Sequence, residues 1–95
     1  MKPGRLVGWL KTAARELGPA GVTVNAIAPG RIETERLREV YPDGPTAADA
    51  AAIPLGRFGQ PREIGDVVCF LASDRAAYVT GATIAVDGGL TRSLQ

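Results

Sequence analysis

The sequence predicts an α/β chain whose two parallel strands form one end of a larger sheet. Three observations carry that expectation. Apolar residues recur at helical spacing over 4–17 and again over 61–73. Short runs rich in β-branched residues occupy 22–28 and 82–86. The resulting order is helix, strand, long loop, helix, strand, and a strand–helix–strand crossover joins parallel strands. Two parallel strands make a poor sheet alone, because parallel sheets are larger and covered on both faces.

In the first helix, Leu6, Val7, Leu10, Ala13, Ala14 and Leu17 form one apolar stripe, with Lys11, Arg15 and Glu16 largely off it. Gly18-Pro19 is the predicted stop, with Gly18 at the position after the helix end, and Ala20-Gly21 completes the turn. The strand over 22–28 holds Val22, Val24 and Ile27 and no charge, so it is expected to be covered on both faces. Asn25 is its one strongly polar member, and Pro29-Gly30 ends it. Residues 31–55 read as an irregular loop with a helical turn or two within 33–40. A breaker cluster spans 41–45, and a loose helical turn falls in the Ala-rich stretch 47–52. Pro61 suits the first position of the second helix, and Glu63 complements the dipole in its first turn. The stripe there is Ile64, Val67, Val68, Leu71 and Ala72. Residues 74–81 form a turn region before the last strand, Asp87-Gly88-Gly89 reads as a turn, and the tail from Leu90 is expected to fray.

With 95 residues there is room for one small domain with little surplus stability. A composition 45% apolar and 22% charged argues against disorder. A net charge of +1 provides no electrostatic footprint for nucleic acid or an anionic membrane. The lone cysteine, Cys69, cannot form an internal disulfide and reads as a small buried apolar residue in a cytoplasmic protein. The apolar run at 6–10 is too short for a signal peptide, and no stretch approaches a membrane span. Metal-ligand spacing is absent from the motifs, and no metal is expected.

Ligands of open α/β sheets sit beyond the carboxyl ends of the strands, where Pro29-Gly30 falls. A glycine there lets backbone come close to a planar group, and Pro29 is expected to stop ladder pairing and turn the chain outward. Beyond it, the Ile32 backbone offers one N–H and one C=O, and the Thr34 hydroxyl can donate or accept. The plainer reading makes Pro29-Gly30 a turn and Thr34 a helix cap. Arg31, Glu35, Arg36, Arg38 and Glu39 read as a solvated face, and Glu35 and Glu39 repel at i, i+4. Trp9 and Phe70, on helices, read as core or interface residues.

Spaced motifs along nearly the whole chain, from about 6 to 90, resemble the short-chain dehydrogenase/reductase family, especially its 3-oxoacyl-carrier-protein reductase-like members. Ala14-Arg15-Glu16-Leu17 followed by Gly21-Val22-Thr23-Val24-Asn25-Ala26-Ile27-Ala28-Pro29-Gly30 is similar to the family's helix-to-strand passage, and Ile32 and Thr34 complete its Pro-Gly-x-Ile-x-Thr pattern. Pro54-Leu55-Gly56-Arg57-Phe58-Gly59-Gln60-Pro61 with Glu63-Ile64 resembles the entry to the last long helix. Phe70-Leu71-Ala72-Ser73-Asp74, Tyr78-Val79-Thr80-Gly81 and Val86-Asp87-Gly88-Gly89 match the C-terminal signature. The resemblance implies the C-terminal part of a single Rossmann-type, doubly wound parallel sheet that uses NAD or NADP, with NADP favoured. It implies that Pro29, Gly30, Ile32 and Thr34 line the nicotinamide end of that site, where a carboxamide needs both an acceptor and a donor. It also implies a substrate lid over 33–55, a ketone or secondary alcohol substrate, and a homo-oligomer with Trp9 as a subunit contact.

The sequence departs from the family pattern at the catalytic positions. The Gly-rich phosphate-binding turn is missing. The family lysine of Tyr-x-x-x-Lys would fall at Pro3; Lys2 is one residue off, a rotation of about 100° on a helix. The tyrosine would precede Met1, and no catalytic residue is assigned. Two functions of different class follow. One is the C-terminal segment of an NAD(P)-dependent oxidoreductase, inactive and unable to bind cofactor alone. The other is a non-catalytic module that pairs with a full-length relative.

Overall fold

A computed structural model describes residues 3–44 and 46–92; Met1, Lys2, Pro45 and the tail beyond 92 lie outside the described residues. The elements are α1 (Pro3–Leu17), β1 (Ala26–Pro29), α2 (Glu35–Val40), α3 (Ala47–Ala51), α4 (Pro61–Leu71) and β2 (Thr83–Val86), with single 3-10 turns at Gly18–Ala20 and Asp74–Ala76. The two strands pair in parallel, Ala26 opposite Thr83 through Pro29 opposite Val86, with α4 in the crossover between them. No helix among the described residues is long and apolar enough to cross a membrane.

The α1 stripe is where periodicity placed it. Leu10 is 1% exposed and Ala14 is buried, with Val7 and Ala13 half-buried, whereas Leu6 and Leu17 at its margins are exposed. The stop differs in detail. The left-handed residue is Gly21 (φ 79), whose N–H closes on the Gly18 carbonyl at 2.8 Å, so Gly18-Pro19 forms the turn and Gly21 reverses it.

Strand β1 starts later than its composition suggests. Val22 to Asn25 precede the ladder, and Val24 and Asn25 bond to residues 79–82, which lie outside β2. The Val24 N–H donates to the Thr80 hydroxyl at 3.0 Å, and its carbonyl accepts from Gly81 N–H at 2.7 Å. The Asn25 side chain donates to the Val79 carbonyl and accepts from Ala82 N–H, both at 3.1 Å. One amide thus stitches both sides of the turn and sets the register before the ladder begins. Nor does Pro29 stop the ladder. Ala26 and Gly30 donate to the Ala82 and Val86 carbonyls, so even-numbered residues of β1 face β2. Pro29 falls on the opposite edge, where its missing N–H costs this pairing nothing.

The apolar content exceeds the cover this chain provides. Ala26, Ile27 and Ala28 are half-buried rather than covered on both faces. On α4, Ile64, Val67 and Leu71 are half-buried, but Val68, Phe70 and Ala72 are exposed. Cys69 is exposed and not buried, because it lies about 140° around the helix from Ile64. The accessible surface is 7153 Å², whereas a compact monomer of this mass exposes about 5,200 Å². The radius of gyration is 15.7 Å, against about 12 Å for a compact domain of this length.

Candidate functional site

The strands end together at Gly30 and Asp87. A Cβ on Gly30 would lie 2.6 Å from the Asp87 Cβ and 2.7 Å from its Cα, so glycine is required for the two chains to pass. The Asp87 side chain turns away into its own loop, accepting from Gly89 N–H at 2.9 Å and Thr91 N–H at 3.0 Å. The Thr91 hydroxyl and these amides hold its carboxyl below the usual range. Asp87 is therefore a turn residue, and it ties down Leu90 and Thr91 instead of leaving them to fray.

The segment 53–55 packs onto that loop. Ile53 is 2% exposed and is one of the two large side chains fully buried among the described residues; its Cγ2 lies 2.8 Å from where a Cβ on Gly88 would sit. Leu55 N–H donates to the Gly88 carbonyl at 3.1 Å. Together these residues frame a cleft of about 460 Å³ at the carboxyl end of the sheet, lined by Ile32, Leu55, Gly59, Val86, Asp87 and Gly88 among others. Of the four candidate residues, only Ile32 lines it. Pro29 is exposed at the strand end, and Gly30 is half-buried against Asp87.

Ile32 forms a single parallel bridge with Gly59. Gly59 N–H donates to the Arg31 carbonyl, and its C=O accepts from Glu33 N–H, both at 2.9 Å. In parallel pairing these bonds use the groups on either side of Ile32, so its own N–H and C=O face the opposite edge. Both are without a hydrogen-bond partner among the described residues. Thr34 is the N-cap of α2; its hydroxyl accepts from Leu37 N–H at 3.2 Å and keeps its own proton to donate. The loop beyond holds two short helices, α2 where a helical turn or two was expected and α3 in the Ala-rich stretch read as a loose helical turn. Thr46 caps α3, and Arg31 donates to the Asp49 carbonyl at 2.8 Å, tying α3 to the end of β1.

Sequence reading missed the anchoring around Gly59. Arg57 grips Glu63 with two parallel bonds of 2.7 and 2.9 Å and also donates to the Phe58 carbonyl at 3.2 Å. Glu63 reaches back to Gln60 N–H at 3.0 Å at the start of α4. The Arg57 guanidinium, then the Gln60 amide, bring the Glu63 carboxyl from 4.5 down to about 2, and the same pairing raises Arg57. The Gln60 side chain in turn bonds the Glu33 carboxylate. The reachable signal was Glu63 three residues after Gln60, the pattern of a helix start; its partner Arg57 lies across a loop with no periodicity to announce it. No group of three or more potential metal ligands occurs among the described residues.

A sequence profile for the family described as enoyl-(acyl carrier protein) reductase matches residues 3–91. The chain belongs to the short-chain dehydrogenase/reductase family. It is 53% identical over 88 residues to a 3-oxoacyl-[acyl-carrier-protein] reductase of Pseudomonas aeruginosa, covering 93% of this chain and 35% of that protein. A solved 3-oxoacyl-[acyl-carrier protein] reductase from Brucella melitensis superposes with a TM-score of 0.82 at 41% identity, covering 95% of this chain and 33% of that one. A blue fluorescent protein from a metagenomic library, solved in complex with NADPH, gives 0.78 at 35% identity, covering 94% and 35%. The chain thus spans about a third of the length of the curated relatives it matches, and its fold is the α/β Rossmann type of these reductases.

Proposed function

We propose that these residues are the C-terminal part of a single Rossmann domain in an NAD(P)-dependent oxidoreductase that interconverts a ketone and a secondary alcohol. The observation that carries this reading is the pair of unbonded backbone groups on Ile32, one donor and one acceptor, just past the carboxyl end of β1. That is the complement of a carboxamide, and an amide with both roles filled binds in one orientation only. Pro29 and Gly30 bring the chain to that point, and the Thr34 hydroxyl can donate from the first turn of α2. A nicotinamide held there would supply or accept the hydride, with NADP favoured over NAD because a solved relative carries NADPH. The remaining cofactor contacts, and the serine, tyrosine and lysine of the chemistry, are assigned to polypeptide outside these residues. A homo-oligomer and a cytoplasmic setting belong to the same proposal.

The test is complementation. This chain is mixed with the preceding two thirds of the Pseudomonas aeruginosa relative, and NADPH oxidation is followed with an acetoacetyl thioester. Turnover by the mixture and by neither part alone is expected. NADPH fluorescence should show no saturable change with this chain alone; a micromolar isotherm or ketone reduction by the chain itself would overturn the division of roles.

The large exposed apolar surface also fits a module that docks on a full-length relative. Turnover in the mixture favours the enzyme reading over that one.

A further inference from the structure

The unbonded groups of Ile32 are useful to a ligand only if the peptide is held at one angle, and the structure shows what holds it. Gly59 fixes the groups on both sides of Ile32, and each neighbour of Gly59 is fixed by a charged side chain. The Phe58 carbonyl accepts from Arg57, and the Gln60 N–H donates to Glu63. Arg57 and Glu63 are locked to each other by the two-bond pair. A second tie runs from the Gln60 side chain to Glu33, the residue after Ile32. A Cβ on Gly59 would lie 2.9 Å from the Ile32 Cδ1 and would push the end of that side chain aside.

We infer that Arg57 and Glu63 are positioning residues, whose ion pair holds the 58–60 segment so that Gly59 aims the N–H and C=O of Ile32 at a carboxamide. The inference rests on the reading of Ile32 given above. Neither side chain is assigned to the ligand; both act through Gly59. A two-bond guanidinium–carboxylate fork suits this task, because it fixes orientation as well as distance.

The experiment uses the 15N-labelled chain mixed with the preceding two thirds of the Pseudomonas aeruginosa relative, and millimolar nicotinamide mononucleotide as the probe. Amide shifts are followed at Ile32, Gly59 and Gly81, the last being bonded to Val24 at the far end of the sheet. In the unmodified chain the probe should shift Ile32. In Glu63→Gln, exchange of the Gly59 amide should rise at least tenfold and the probe-induced shift at Ile32 should fall several-fold, with Gly81 unchanged. Arg57→Lys, which keeps the charge and loses the fork, should fall between. A full Ile32 shift in Glu63→Gln, despite faster exchange at Gly59, overturns the positioning role and leaves the carboxamide reading intact. No shift at Ile32 in the unmodified chain defeats the carboxamide reading. The clamp is then judged on exchange alone, standing if Gly59 responds to Glu63→Gln and failing if it does not. Loss of Gly81 protection in both variants would make the pair a general support of the fold and would also overturn the positioning role.

Discussion

The two ends of the two-stranded sheet are closed by different means. At the amino end, side chains share the closing with backbone: Asn25 and Thr80 bond across between 24–25 and 79–82, and the Gly81 N–H donates to the Val24 carbonyl. At the carboxyl end, backbone meets backbone. Gly30 lies on Asp87, Leu55 on Gly88, and Ile32 on Gly59, with glycine at each close approach. The first arrangement answers the donor and acceptor of the Asn25 side chain; the second leaves Ile32 with a donor and an acceptor unanswered, facing away from Gly59. Side-chain stitching makes a rigid edge, while glycine-mediated approach lets a strand end be shaped around an opening.

If that contrast is sound, the ends respond separately to substitution. The largest effect is expected for Gly30→Ala, because the atoms its Cβ meets are the Cα and Cβ of Asp87 and cannot swing aside. A loss of about 3 kcal/mol is expected, read as a fall of about a hundredfold in Leu55 amide protection with Gly81 spared. An equal fall at Gly81 would show the ends to be one cooperative unit. Asn25→Ala should do the reverse, leaving the Val79 carbonyl and Ala82 N–H unanswered at a cost of about 2 kcal/mol, seen as about a thirtyfold loss at Gly81. Thr34→Ala removes the cap of α2 and should cost about 1 kcal/mol, confined to exchange of the Leu37 amide.

The smallest effect concerns pH. The folded Glu63 carboxyl sits at about 2, below its ordinary 4.5. Its contribution is complete above 4.5 and is lost as pH falls from there towards 2. Carbon-detected titration of Glu63 should have its midpoint near 2, and salt should weaken the effect because the pair is exposed. A Glu63 that titrates at its ordinary value would show that the fork does not persist in solution.

Much of this was legible in the residues. The helices follow from period alone, because Leu10 and Ala14 lie one turn apart on the buried face of α1, and Pro61 with Glu63 marks the start of α4. What was not legible has two physical causes. Bonds across loops have no period, so the Ile32–Gly59 bridge and the Arg57–Glu63 fork leave no pattern in the chain. Burial also depends on surface this chain does not supply. Val68 and Phe70 are apolar enough for a core, yet both are exposed. Val24 and Asn25, read as strand, depend likewise on what lies opposite, which decides whether a ladder forms.

The placement of Pro29 has a consequence for any strand laid along the free edge of β1. That strand would find the Ile27 amide available to its carbonyls and, two residues on, no donor at all. It must part from β1 there, at the same level as Gly30. A proline on the outer edge therefore ends the ladder on that side, while on the other side the Gly30 N–H still bonds the Val86 carbonyl.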